Sequence, residues 1–306
     1  MGKNMQFEEI CQFLSVRYPL RDVRVCGEET FVIFAEMHSQ VNQRRISHEL
    51  LTFHRSFPQQ LVGVEGYAFD HRRDGAMVAV TAAEVLRGCK CSAEQFDAKK
   101  IGEYAPLFFE QGLHAIGLEA DGQALIPTFN GQVAHYYRHL LQNAVHGIPS
   151  IFFRKGQLVT KAAALLRLCE YLKERFADFP AIEVNKLKSE GEGDERVVSL
   201  GDSELTYMTD LYESLTNWQR KHSLFGRSSF AAEVSLRELR RQQGKLGALV
   251  VGAGHTVCGL EKKSLQEHLA DAGVSSIVVD PARSDAGWEE MVDAVRSSVV
   301  KIVPMK

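Results

Sequence analysis

Short, uninterrupted apolar runs recur along the chain, separated by stretches in which apolar residues return every three or four positions. The runs at 30–34, 61–64, 115–118, 248–251 and 276–279 are too short for helices and show no polar alternation, as expected of strands buried on both faces. Between them, Ile46, Leu50, Phe53 and Phe57 fall on one helical stripe, which predicts a helix over 42–57 that Pro58 ends. Leu165, Leu168, Cys169, Leu172 and Phe176 repeat the pattern in mid-chain. Trp288, Met291, Val292, Val295 and Val299 repeat it near the end, where Ser284 or Asp285 supplies the N-cap. Strands alternating with helices predict an α/β fold with a central, mostly parallel sheet flanked by helices.

Two larger features modify that picture. Residues 131 to about 225 read as mostly helical and lie between groups of strands, so the expectation is a single α/β domain over 1–306 with a helical insertion at about 131–225. Within it, 185–197 exchanges apolar periodicity for charge and glycine and reads as a surface loop. FVIFAEMHSQ (31–40) and ALVVGAGHTV (248–257) are both apolar runs that lead through small or acidic residues to a histidine, as two related halves of one sheet would.

Composition narrows the class of function. With 45% apolar and 25% charged residues the chain is globular, and 36 basic against 39 acidic side chains leave no basic tract for nucleic acid. The first residues lack the apolar core of a secretory signal, and no run approaches the length of a membrane span, so a soluble cytoplasmic protein without a membrane partner is expected. Of the six cysteines only Cys89 and Cys91 lie close together, and C-x-C without a second half-site makes neither a disulfide framework nor a zinc ribbon.

The chemistry concentrates at the carboxyl ends of the expected strands, where side chains are held by rigid backbone and project into a crevice. Glu36 and His38, Glu65, Glu119 and Asp121, and His255 all fall there. Arg227, at the opening of a helix just before the 248–251 run, is placed to orient a carboxylate or an anionic group. A single histidine after a strand is usually an ordinary loop residue, but four strands delivering acids and imidazoles to one rim form a set. Such a set is stable either as ligands of a divalent metal or as an acid–base couple, and both activate water. The turn Gly252-Ala253-Gly254 also invites a phosphate-binding reading, but Val257 stands where the third glycine of G-x-G-x-x-G belongs.

AEMH (35–38), VGVEGY (62–67), AIGLEAD (115–121), Arg227 and VVGAGH (250–255) together resemble the ordered signature of the superfamily that groups erythromycin esterases (EreA), ChaN-like haem-uptake proteins and the TIKI and TraB proteins. The resemblance implies a sheet of two related halves around one cleft, with Glu36, His38, Glu65 and His255 on the acidic and histidine positions and Glu119 and Arg227 beside them. Ala35 stands where the first G-x-x-H has its glycine. The leading expectation is a hydrolase of a small-molecule or peptide substrate, cleaving an amide or ester bond with Glu36, His38, Glu65, Arg227 and His255 as its catalytic set. The metal-dependent members imply Mn, Co or Zn on His38, His255, Glu65 and Glu119. ChaN-like members imply haem instead, with an axial ligand from His or Tyr, for which Tyr67 and Tyr104 are candidates. A non-catalytic accessory protein that binds a peptide or metabolite is the third class, and a homo-oligomer is compatible with all three.

Overall fold

A computed structural model of the chain describes residues 5–36, 40–68, 72–73, 76–77, 113–120, 122–123, 126, 153–154, 167–180, 195–196, 210, 213–215, 217–218, 222, 224–257, 263–283 and 285–297. Its elements are α1 (Met5–Ser15), β1 (Leu20–Arg24), β2 (Thr30–Glu36), α2 (Gln40–Ser56), β3 (Leu61–Ala68), β4 (Arg72–Arg73), β5 (Ala76–Met77), β6 (Ala115–Glu119), β7 (Phe153–Arg154) and β8 (Glu195–Arg196). They continue with α3 (Leu224–Arg241), β9 (Leu246–Gly252), a 3-10 turn (Ala253–Thr256), α4 (Leu265–Asp271), β10 (Ser275–Val279) and α5 (Asp285–Ser297).

The chain clusters into two compact units. One comprises Met1–Ala79, Lys99–Ala120 and Leu224–Lys306; the other comprises Val80–Ala98 and Asp121–Ser223. The first holds a six-stranded sheet in the order β1-β10-β2-β9-β3-β6, parallel throughout except for β1, which pairs antiparallel with β10. The fold is therefore α/β.

Side-chain alternation along the strands separates two cores. Val32, Phe34, Val62, Val64, Ala248 and Val250 face one way and pack with Ile10, Leu14, Leu50 and Phe53 from α1 and α2. Phe31, Ile33, Leu61, Ile116, Leu249 and Val251 face the other way and pack with Ala231, Val234, Leu239, Leu265 and Leu269 from α3 and α4. Both faces are covered, which is why these strands read as continuous apolar runs. Close packing on the second face uses glycine: a Cβ on Gly247 would lie 2.3 Å from Phe31 Cε1.

The five anticipated strands are present, each at least one residue longer than its apolar run. The extensions bring Glu36, Glu65 and Glu119 into the strands themselves. The helix expected at 42–57 is α2, which ends at Ser56. The last helix starts at Asp285; Ser284 lies outside the described residues. The edge strand β1, LRDVR, has no apolar run because it is only half-buried, so periodicity does not reveal it. The two similar segments are neighbouring parallel strands at the middle of the sheet, with Val32 opposite Ala248 and Glu36 opposite Gly252.

The amino ends of these strands carry exposed ion pairs. Lys245 lies 2.9 Å from Glu28, and Arg240 lies 2.8 Å from Glu29. Among the described residues no helix is long and apolar enough to cross a membrane.

In the second unit, Phe176 and Phe179 pack edge-on against Trp218, and His222 stacks beside Trp218 with Nε2 3.0 Å from the Asp178 carboxylate. Gly122, at φ +86°, lies under Phe176 and Arg175, where a Cβ would come within 3.1 Å of both side chains.

Candidate functional site

At the carboxyl end of the sheet, carboxylates from two neighbouring strands converge on one guanidinium. Glu65 has the same strand parity as Leu61, on the face that α3 covers, so its carboxylate points toward the first turns of that helix. There Arg227 Nη2 donates to Glu65 Oε1 at 2.5 Å and also to Glu119 Oε1. All three residues are buried.

Each carboxylate is held by backbone as well. Two extra residues bulge β3 between Val64 and Ala68, and Gly66 takes φ +90°, a conformation that only glycine adopts without strain. The bulge turns the Gly66 N–H toward Glu119 Oε1, 3.0 Å away. On the other side of Glu65, the Gly252 N–H at the end of β9 donates to Oε2.

Beyond Gly252 the chain tightens into the 3-10 turn, which Thr256 Oγ1 closes by donating to Ala253 O at 2.7 Å. Gln266 of α4 donates to Thr256 O at 2.7 Å and ties the turn to the helix. This turn carries His255, 4% exposed, with Nε2 3.2 Å from Glu65 Oε1 and Nδ1 2.8 Å from Ser228 Oγ. A hydrogen-bonded series thus runs Ser228–His255–Glu65–Arg227–Glu119.

Burial opposes the charge on Arg227, but the carboxylates of Glu119 and Glu65 outweigh it and hold the guanidinium even further above its ordinary pKa. Arg227 is therefore a permanent buried cation, and Glu65, which only receives hydrogen bonds in the series, is ionised beside it.

The structure brings together Glu65, Glu119, Arg227 and His255 from the sequence-derived set. Glu36, 1% exposed, ends β2 directly opposite Gly252. His38, Asp121 and Tyr104 lie outside the described residues, as does the side chain of Tyr67. Arg227 sits in the first turn of α3 rather than at its very start, which directs it to the strand ends.

Ser228 and Gly66 were not anticipated from sequence. A signal for Ser228 is present: Ser228, Ala231, Ala232, Ser235 and Leu239 form the buried stripe of α3, and extending the apolar period one turn toward the amino end reaches Ser228.

The donor set bears on the metal expectation. A cation held by His255, Glu65 and Glu119 needs lone pairs directed at it. Glu65 Oε1 receives Arg227 and His255, its Oε2 receives Gly252, and both His255 nitrogens are engaged. Glu119 Oε1 receives Arg227 and Gly66, which leaves only its buried Oε2 without a hydrogen-bond partner among the described residues. With Glu65 and Glu119 turned to the Arg227 guanidinium and His255 held between Glu65 and Ser228, these three residues do not fit a metal ion in this arrangement. Among the described residues no group of three His, Cys, Asp or Glu side chains is disposed to hold one. Nor does the glycine turn suit a phosphate, because the Gly252 N–H already serves a carboxylate.

No family model, curated protein or solved structure matches the chain.

Proposed function

We propose that the strand-end cluster is the catalytic centre of a hydrolase that cleaves an amide or ester bond, in a peptide or a small natural product, with water activated by imidazole and carboxylate. The observation that supports this reading is the buried His255, bonded through one ring nitrogen to an ionised Glu65 and through the other to a hydroxyl. Packing alone does not call for an imidazole there, since burying polar groups costs free energy that an apolar residue would avoid.

In this reading His38, which follows Glu36 by two positions, removes a proton from the attacking water. His255 delivers its Nδ1 proton to the leaving nitrogen or oxygen, which takes the place of Ser228 as the partner of that nitrogen when the tetrahedral intermediate collapses, and Glu65 on Nε2 stabilises the imidazolium before that step. Arg227 fixes the Glu65 carboxylate and keeps it ionised. Every proton is thus carried by a side chain of the chain itself, and no step is assigned to a metal.

The reading is tested by screening purified protein against aryl esters and aminoacyl amides, then comparing His38→Gln and His255→Gln with wild type. Each substitution is expected to lower kcat by about 10²- to 10⁴-fold, the range for one acid–base group, without a comparable loss of Tm. Activity should persist after dialysis against a chelator. If His38→Ala and His255→Ala both turn over substrate at the wild-type rate, the reading is wrong.

A further inference from the structure

We infer that Ser228 is the positioning residue of His255: its hydroxyl donates to Nδ1 of the neutral ring and accepts from the same nitrogen when the ring is protonated. The inference rests on the hydrolase reading for its role in turnover, but not for its geometry.

The argument starts from Glu65. Its carboxylate is ionised and can only accept, so the His255 nitrogen facing it at 3.2 Å, Nε2, carries the hydrogen. A neutral imidazole then has a bare Nδ1, and the group 2.8 Å away, Ser228 Oγ, must donate to it. When the ring takes a second proton, Nδ1–H becomes the donor and the same oxygen accepts after a rotation of the hydroxyl. A serine hydroxyl serves both states without moving a heavy atom, whereas a carbonyl or an ammonium would serve only one.

Burial gives this its weight. Ser228 is fully buried and His255 nearly so, so a ring nitrogen that lost its partner would not find water in its place. The loss is larger for the charged ring, because an imidazolium N–H makes a charge-assisted bond and a bare nitrogen does not. Removing the hydroxyl should therefore disfavour imidazolium.

Among the described residues, charged groups stand on each element around the turn. Glu65 comes from β3, Arg227 from α3 and Glu36 from the end of β2. On α4, Gln266 is the residue that bonds to the turn, Glu267 is engaged in the Ser264 cap and His268 follows it. On α5, Asp285 bonds to Arg21; Glu289, Glu290, Asp293 and Arg296 follow it along the helix. Ser228 is the uncharged group on Nδ1, so replacing it changes the hydrogen bond and no formal charge.

The experiment is nitrogen NMR on the full chain labelled with 15N-histidine, with His255 assigned by its absence in His255→Gln, and with Ser228→Ala compared over the pH range. Wild type should show a protonated Nε2 and a hydrogen-bonded, unprotonated Nδ1 at high pH. In Ser228→Ala the His255 titration should move down by about one pH unit or more, a tenfold change in its protonation constant. In any substrate found for the enzyme, the limb of the kcat profile that needs protonated His255 should move by the same amount while KM changes little.

A His255 titration that is unmoved in Ser228→Ala, or a wild-type ring protonated on Nδ1 at high pH, overturns the inference. If the titration moves as expected in a protein that hydrolyses nothing, the positioning role stands and the hydrolase reading falls, so the two failures are distinguishable.

Discussion

The guanidinium of Arg227 lies 2.5 Å from the Glu65 carboxylate across 162 positions of sequence, and both groups are buried. Taking one member from a buried ion pair leaves the other charged and unsolvated, which typically costs about 3–5 kcal/mol. Arg227→Met should therefore lower the unfolding free energy, read from urea denaturation, by about that amount, and Glu65→Gln with Glu119→Gln in the same chain should recover much of the loss. Arg227→Lys keeps the charge but has a single ammonium in place of a planar fork, so it should remain well below wild type in stability.

The glycines of the sheet separate two mechanisms of destabilisation. At Gly247 a Cβ would meet the Phe31 ring at 2.3 and 2.6 Å, and Phe31 is fully buried, so Gly247→Ala should cost about 1–3 kcal/mol through overpacking. Adding Phe31→Leu should relieve part of it. At Gly273 nothing lies within 4 Å of the built Cβ but φ is +76°, so Gly273→Ala should cost only about 1 kcal/mol, from backbone conformation, and no second substitution should rescue it. Denaturation of the three variants checks both statements.

Thiol labelling should follow burial. Cys26 is exposed, whereas burial and the neighbouring Glu170 push the Cys169 thiol up to about 12. Burial and Glu8 also raise Cys11. Among these three cysteines, iodoacetamide at mildly alkaline pH should modify Cys26 first, Cys11 slowly and Cys169 only after unfolding, as read by peptide mass spectrometry. Labelling of native Cys169 at the rate of Cys26 would contradict this.

His268 gives a pH dependence of stability with a definite sign. Burial lowers its pKa most; Asp271 pulls the other way, Lys263 adds to the lowering and Glu267 opposes it. The folded state thus binds this proton less well than the unfolded chain, so the contribution is present above the ordinary imidazole pKa and is lost as pH falls through the depressed folded value. His268→Gln should flatten the slope of stability against pH just below the ordinary imidazole range, measured by urea midpoints at several pH values.

The α/β architecture was legible because strands covered on both sides leave unbroken apolar runs, as at 248–251. Glu36, Glu65 and Glu119 were legible for a related reason: an acid that ends such a run sits at the sheet rim. Arg227 was marked by its place before β9, but its double contact was not visible, because pairing between residues 108 and 162 positions apart depends on α3 lying over β3 and β6. Ser228 escaped notice because serine on a buried helical stripe reads as a small packing residue until the imidazole opposite it is known. The expectations for 131–225 and for His38 fall largely or wholly outside the described residues.

The same acid and base chemistry stands at both tips of the strands, and the surroundings differ. Lys245–Glu28 and Arg240–Glu29 are bathed in solvent and contribute little, whereas Arg227 with Glu65 and Glu119 is shut away from it. Tolerance to charge reversal should therefore run as a gradient along the strand axis, permissive at one pole and forbidding at the other, so that a saturation library would read the polarity of the sheet directly.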